Sequence, residues 1–73
     1  MALHTLSGEE IASLRQQLLA LVAEHRDLDQ AISRLTEYPP ADELLLRRMK
    51  KHKLALKDRI LQIELMLTPD IPA

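Results

Sequence analysis

Two runs of regularly spaced apolar residues constrain the fold of this 73-residue chain more than any other feature. In both runs the spacing alternates between three and four residues, which is the spacing of the a and d positions of a coiled coil. The first run is Ile11, Leu14, Leu18, Leu21, His25, Leu28, Ile32 and Leu35. The second run is Leu46, Met49, Lys53, Leu56, Ile60, Ile63 and Leu67. The pattern predicts two long helices, each with one apolar seam, that supercoil gently around each other.

The start of the first helix is marked by a capping box at Ser7 and Glu10. In this motif the serine side chain accepts from the glutamate amide, and the glutamate side chain reaches back to the serine amide. Leu6 and Ile11 have the spacing of a hydrophobic staple around the same cap. We therefore expect the helix to begin directly after Ser7.

Two consecutive prolines divide the chain between the two apolar runs. Tyr38 precedes Pro39, and a residue before proline is disfavoured in helical conformation. Pro40 is suited to the first position of a second helix. The sequence predicts one helical-hairpin domain over 1–73, with helix one at about 8–37, a turn at 38–39, helix two at about 40–67 and a loose tail at 68–73.

The short turn makes the two helices antiparallel neighbours. Folding the chain at the prolines aligns the two seams as mirror images. The predicted layers are Ile32 with Leu46, Leu28 with Met49, Leu21 with Leu56, Leu18 with Ile60, Leu14 with Ile63 and Ile11 with Leu67.

The two polar residues that interrupt the seams, His25 and Lys53, fall in the same predicted layer. One interpretation is a polar core layer in which Lys53 lays its methylenes along the seam and extends its ammonium to Glu24 or Asp29. The other is a pH-sensitive or ligand-binding layer, because histidine titrates near neutral pH. We favour the first interpretation.

The composition excludes several classes of protein. There is no cysteine, tryptophan or phenylalanine, one tyrosine and one glycine, and 47% of the residues are hydrophobic. The chain is thus too apolar for disorder and too poor in aromatic residues and glycine for a β-sandwich or barrel. No run of about 20 apolar residues predicts a membrane span. No secretion signal is evident at the N-terminus, and we expect a cytoplasmic protein.

Nothing in the sequence assembles a catalytic or cofactor site. The chain lacks a glycine-rich phosphate loop, and its histidines, His4, His25 and His52, do not share a helical face at metal-ligand spacing. A nucleophile, a base and an orienting acid must converge in a pocket, for which two helices leave little room. We expect no enzyme activity, no metal and no cofactor.

A basic stretch occupies the middle of helix two: Arg47, Arg48, Lys50, Lys51, Lys53, Lys57 and Arg59. It could contact the phosphates of a nucleic acid. We favour a solvated face that balances helix one, which carries six acidic and three basic residues between 8 and 37. The predicted register places Lys50 level with Asp29 and His52 level with Glu24, where antiparallel helices exchange ion pairs.

Five apolar residues lie outside the seams, on one side of the predicted hairpin. We call these residues the association face: Leu19, Val22, Leu54, Leu61 and Leu65. A two-helix hairpin cannot cover such a patch, which usually marks an interface. It could bind a partner helix, but for so short a chain we favour self-association into a homo-oligomeric helix bundle.

Two sequence patterns point to a known family: His25-Arg26-x-Leu28-Asp29-x-x-Ile32 in helix one and Met49-Lys50-Lys51-x-Lys53-Leu54-x-Leu56-Lys57-Asp58 in helix two. With these patterns the chain resembles the YdcH-like family of short bacterial helical-hairpin proteins. The resemblance covers about 11–67 and implies a coiled-coil-like hairpin with no established activity. Taken together, the sequence predicts a small interaction or scaffolding protein, with nucleic-acid association as the alternative.

Overall fold

A computed structural model describes residues 6–38 and 42–68 of the chain, and these residues form two helices. Helix α1 spans Gly8–Glu37 and helix α2 spans Glu43–Leu67, with no strand among the described residues. The molecule measures 53 × 24 × 19 Å. Because the 30 residues of α1 alone extend about 45 Å at 1.5 Å per residue, α2 must fold back beside α1. The predicted all-α hairpin is confirmed.

The predicted capping box is present at the start of α1. The Glu10 amide donates to Ser7 Oγ at 3.1 Å, and the Ser7 amide donates to Glu10 Oε1 at 2.9 Å. Each bond satisfies an amide that the first helical turn leaves without a partner. At the other end, Tyr38 leaves the helical conformation with φ −119° and ψ 82°, as expected for a residue that precedes proline.

Helix α2 begins at Glu43, three residues later than the predicted start at about residue 40. Asp42 is the N-cap: its backbone is extended, and its Oδ1 accepts from the Leu45 amide at 3.0 Å. An aspartate at this position satisfies a free amide of the first turn, which favours starting the helix after it. The predicted role of Pro40 and the predicted turn at Pro39 lie outside the described residues, as does the predicted tail beyond Thr68.

The core runs along the predicted seams. Every seam residue of both helices is buried or half-buried, and only Leu6 and Ala31 join them among the described residues. The buried side chains are Ile32, Leu56, Ile60 and Ile63, of which Ile63 is fully buried. The seam assignment is therefore confirmed, while the pairing of individual layers stays a prediction.

Candidate functional site

All five residues of the association face are exposed in the hairpin. The exposed fractions are 71% for Leu19, 36% for Val22, 63% for Leu54, 46% for Leu61 and 76% for Leu65. Each seam is occupied by the opposite helix, so no described part of the chain covers these side chains. The apolar surface is thus present, and its role in association stays a prediction.

An open groove between the helices adjoins the association face. Its volume is about 520 Å³, which is within the range of small-molecule sites. The lining residues are His25 and Ile32 of α1 and Lys50, Lys53, Leu54 and Lys57 of α2. Leu54 belongs to both the groove and the association face, so the two surfaces meet at this residue, and Lys50, Lys53 and Lys57 line the groove with it.

Sequence reasoning missed this groove, although a signal for it exists. Lys50, Lys53 and Lys57 are spaced by three and four residues, which places them on one face of a helix. The sequence analysis treated the seven basic residues of helix two as one group, so the common face of these three lysines was not recognised. Arg48 and Arg59 belong to the same stretch but do not line the groove.

Two ion pairs connect the helices beside the seam. Lys53 Nζ lies 2.5 Å from Asp29 Oδ1, and His52 Nε2 lies 3.3 Å from Glu24 Oε2. The predicted proximity of His52 and Glu24 is confirmed. Of the two carboxylates considered for Lys53, Asp29 receives its ammonium, and Lys50 forms no ion pair with any described residue.

The ion pair perturbs Asp29. The hydrogen bond from Lys53 and the charge of its ammonium lower the pKa of the Asp29 carboxyl below its ordinary value of 3.8, and His25 contributes less in the same direction. Desolvation opposes this effect and is outweighed. Asp29 is therefore an anion at neutral pH, held against the rim of the groove.

The polar seam residues His25 and Lys53 are both half-buried, and both line the groove. Lys53 keeps 37% of its side chain exposed, which allows its methylenes to pack while its ammonium remains in water. The structure brings both residues to one surface. Their role as a register-fixing layer stays a prediction.

The groove offers a ligand positively charged groups beside apolar surface. Ammonium groups bind carboxylates or phosphates as point charges, and Ile32 and Leu54 offer apolar surface beside them. Within 6–38 and 42–68, no three His, Asp or Glu side chains are grouped so that they could hold a metal ion. Neither described helix is long and apolar enough to cross a membrane.

Comparison with known proteins identifies one family. Residues 18–64 match the model of a family described as "Protein of unknown function (DUF465)". The matched segment contains every residue that lines the groove and both interhelical ion pairs. No curated protein and no solved structure matches the chain.

Proposed function

The chain belongs to the DUF465 family of proteins of unknown function, and from this premise we propose that it is a small non-catalytic interaction protein that self-associates through its association face. The family includes the YdcH-like small helical proteins, so the resemblance noted in the sequence is confirmed. The family assigns no activity, and the proposal depends on the surface of the hairpin itself.

The observation that carries the proposal is the exposure of all five large apolar residues of the association face. An uncovered apolar patch of this kind usually marks an interface. We assign a second copy of the chain as its occupant because the hairpin has a small core. Only four side chains are buried among the described residues, and the chain has no cysteine. Small scaffolds without disulfides commonly gain the missing apolar burial by oligomerisation.

The ion pair between Lys53 and Asp29 favours this function over nucleic-acid association. It lies in the centre of the basic stretch, so part of the positive charge of this stretch is neutralised within the hairpin. A steep fall of nucleic-acid affinity with salt concentration would instead support the alternative.

The test replaces Leu61 and Leu65 with glutamate. We expect the double variant to shift toward monomer, because each buried leucine removed from an interface forfeits on the order of 2 kcal/mol. Its melting temperature should also fall. Light scattering measures the mass, and far-UV circular dichroism verifies that the helices persist.

The control moves the same two substitutions by one position, to Gln62→Glu with Met66→Glu. Successive residues are turned by about 100° around a helix. The exposed fraction of Met66, 45%, nearly equals the 46% of Leu61. This variant keeps the charge change and the spacing but lies off the association face, so its mass should equal that of the unchanged chain. A monomeric unchanged chain, or an oligomer that the Leu61 and Leu65 substitutions leave intact, would refute the proposal.

A further inference from the structure

The charges beside the association face change sign along α2. From Arg47 onward, the charged residues that flank Leu54, Leu61 and Leu65 by helical period are first basic and then acidic. The basic residues are Arg47, Lys50, Lys51 and Lys57, and the acidic ones are Asp58 and Glu64. The division falls between positions 57 and 58, in the middle of this apolar stripe.

These flanking charges are available to a partner. Within 6–38 and 42–68, no ion pair involves Lys50, Lys57, Asp58 or Glu64, and all four are exposed. Lys50 and Lys57 border the groove on either side of Leu54. The groove therefore presents two cations, about two helical turns apart, that lack an anion.

From this arrangement we propose that the partner of the association face is a second copy seated antiparallel, α2 against α2, about a two-fold axis near Lys57 and Asp58. The inference rests on the proposed self-association and adds its direction and register. A two-fold interface uses the same patch on both copies and must be self-complementary. Antiparallel packing meets this requirement because it sets the basic half of each α2 against the acidic half of the other, whereas parallel packing sets like charges together.

The register follows from matching charge and apolar positions at once. With the axis between positions 57 and 58, Lys57 faces Asp58 of the second copy. Lys50 lies one residue, about 1.5 Å along the helix axis, from the level of Glu64 of the second copy. The same register sets Leu54 against Leu61 of the second copy. The two-fold axis repeats each of these contacts. Leu19 and Val22 of α1 lie on the same side, so the two hairpins close into four helices.

Cysteine cross-linking tests this geometry directly, because the chain contains no cysteine. The double variant Leu54→Cys with Leu61→Cys should form a covalent dimer on mild oxidation. Disulfides need Cα atoms within about 7 Å. In the proposed register each single variant places its two cysteines roughly 10 Å apart along the axis, from seven residues at 1.5 Å each, and neither should cross-link. For the same reason, positions 54 and 61 of one chain cannot join.

The outcomes distinguish this inference from the proposed self-association. Efficient cross-linking of the double variant alone supports the antiparallel register. Equal cross-linking of either single variant indicates parallel packing and overturns the inference. A dimeric mass without cross-linking overturns the register while self-association stands. A monomeric mass for the unchanged chain removes both.

A charge exchange provides an independent measurement. One variant carries Lys50→Glu and Lys57→Glu, and the other carries Asp58→Lys and Glu64→Lys. Each alone opposes like charges and should dimerise at least about tenfold more weakly than the unchanged chain, while an equimolar mixture should recover association as a heterodimer. If the mixture associates no better than its components, the proposed ion pairs are wrong.

Discussion

Lys53 illustrates how a charged residue occupies a seam position without a buried charge. Its side chain keeps 37% of its surface exposed and ends 2.5 Å from Asp29 Oδ1, so the aliphatic part packs while the ammonium stays in water beside an anion. Asp29 itself is exposed. The contact therefore guides the relative position of α1 and α2 more than it adds to stability, as is usual for exposed ion pairs.

The pair makes the stability of the hairpin depend on acidity. Since the folded state lowers the pKa of Asp29 below 3.8, the unfolded chain binds the proton more readily. The stabilisation that the ion pair gives the folded state is complete at pH values above 3.8. It is lost as the pH falls through the lowered pKa of Asp29 in the folded state. We expect Asp29→Asn to melt at a lower temperature than the unchanged chain near neutral pH, and the difference to vanish in acid well below 3.8.

Thermal melts followed by circular dichroism, one near neutral pH and one well below pH 3.8, measure the difference in melting temperature between Asp29→Asn and the unchanged chain. Asp27→Asn is the matched control, because Asp27 is an exposed aspartate on the same helix without an ion pair to any described residue. A melting difference for Asp29→Asn that stays constant down to strong acid would show that the ion pair is not its cause.

At the scale of the helices, the two starts differ in how well the sequence determines them. Before α1, Ser7, Glu10 and the flanking apolar residues all indicate the same boundary, and the structure has it there. Before α2, Pro40 and Asp42 both suit a helix start, because proline tolerates the first helical position and aspartate is a strong N-cap. The structure has the N-cap at Asp42, whose side chain accepts from the Leu45 amide. The residue types alone do not determine which of the two positions starts the helix.

Removal of the capping side chain should have the same effect on stability at the start of either helix. Ser7→Ala and Asp42→Ala should each cost about 1 kcal/mol and fray the adjacent turn without changing the mass of the particle. Hydrogen exchange should accelerate near Ile11 in the first variant and near Leu46 in the second. Ser7→Asp and Asp42→Asn keep a capping oxygen and should remain protected. Unchanged exchange near Ile11 in Ser7→Ala would contradict the assigned cap.

The exposure of the association-face residues was predictable from the sequence, whereas the sequence indicated only which lysines share a side of α2 and not that a groove lies beside them. Leu54 and Leu61 follow the helical period but miss the seam, so their exposure follows from the pattern alone. The groove depends on how far apart the helices lie and on where each lysine extends its chain. Lys53 had two acceptors within reach of the predicted register, and the choice of Asp29 depends on a small axial offset that a repeating pattern does not specify.

For the molecule as a whole, the polar residues His25 and Lys53, one in each seam, keep the free energy of unfolding below what two fully apolar seams would give. A hairpin with four buried side chains among the described residues would gain stability from apolar residues at His25 and Lys53. Polar residues at coiled-coil seam positions fix register and assembly state at a cost in stability. We propose that these two do so here, since both are half-buried and both border the groove where the second copy is expected.

The double variant His25→Leu with Lys53→Leu tests this role. Two additional apolar side chains in the seam should raise the melting temperature by on the order of 5 °C. Removing the polar pair should at the same time broaden the distribution of oligomers, because alternative registers become comparable in energy. Melting by circular dichroism and sedimentation velocity measure the two effects. Gln16→Leu with Arg48→Leu is the control, since both residues are exposed outside the seam, neither makes an ion pair or a side-chain hydrogen bond with a described residue, and leucine there gains no core burial. A lower melting temperature for His25→Leu with Lys53→Leu, with helicity retained, would show that the two residues do not share an apolar layer.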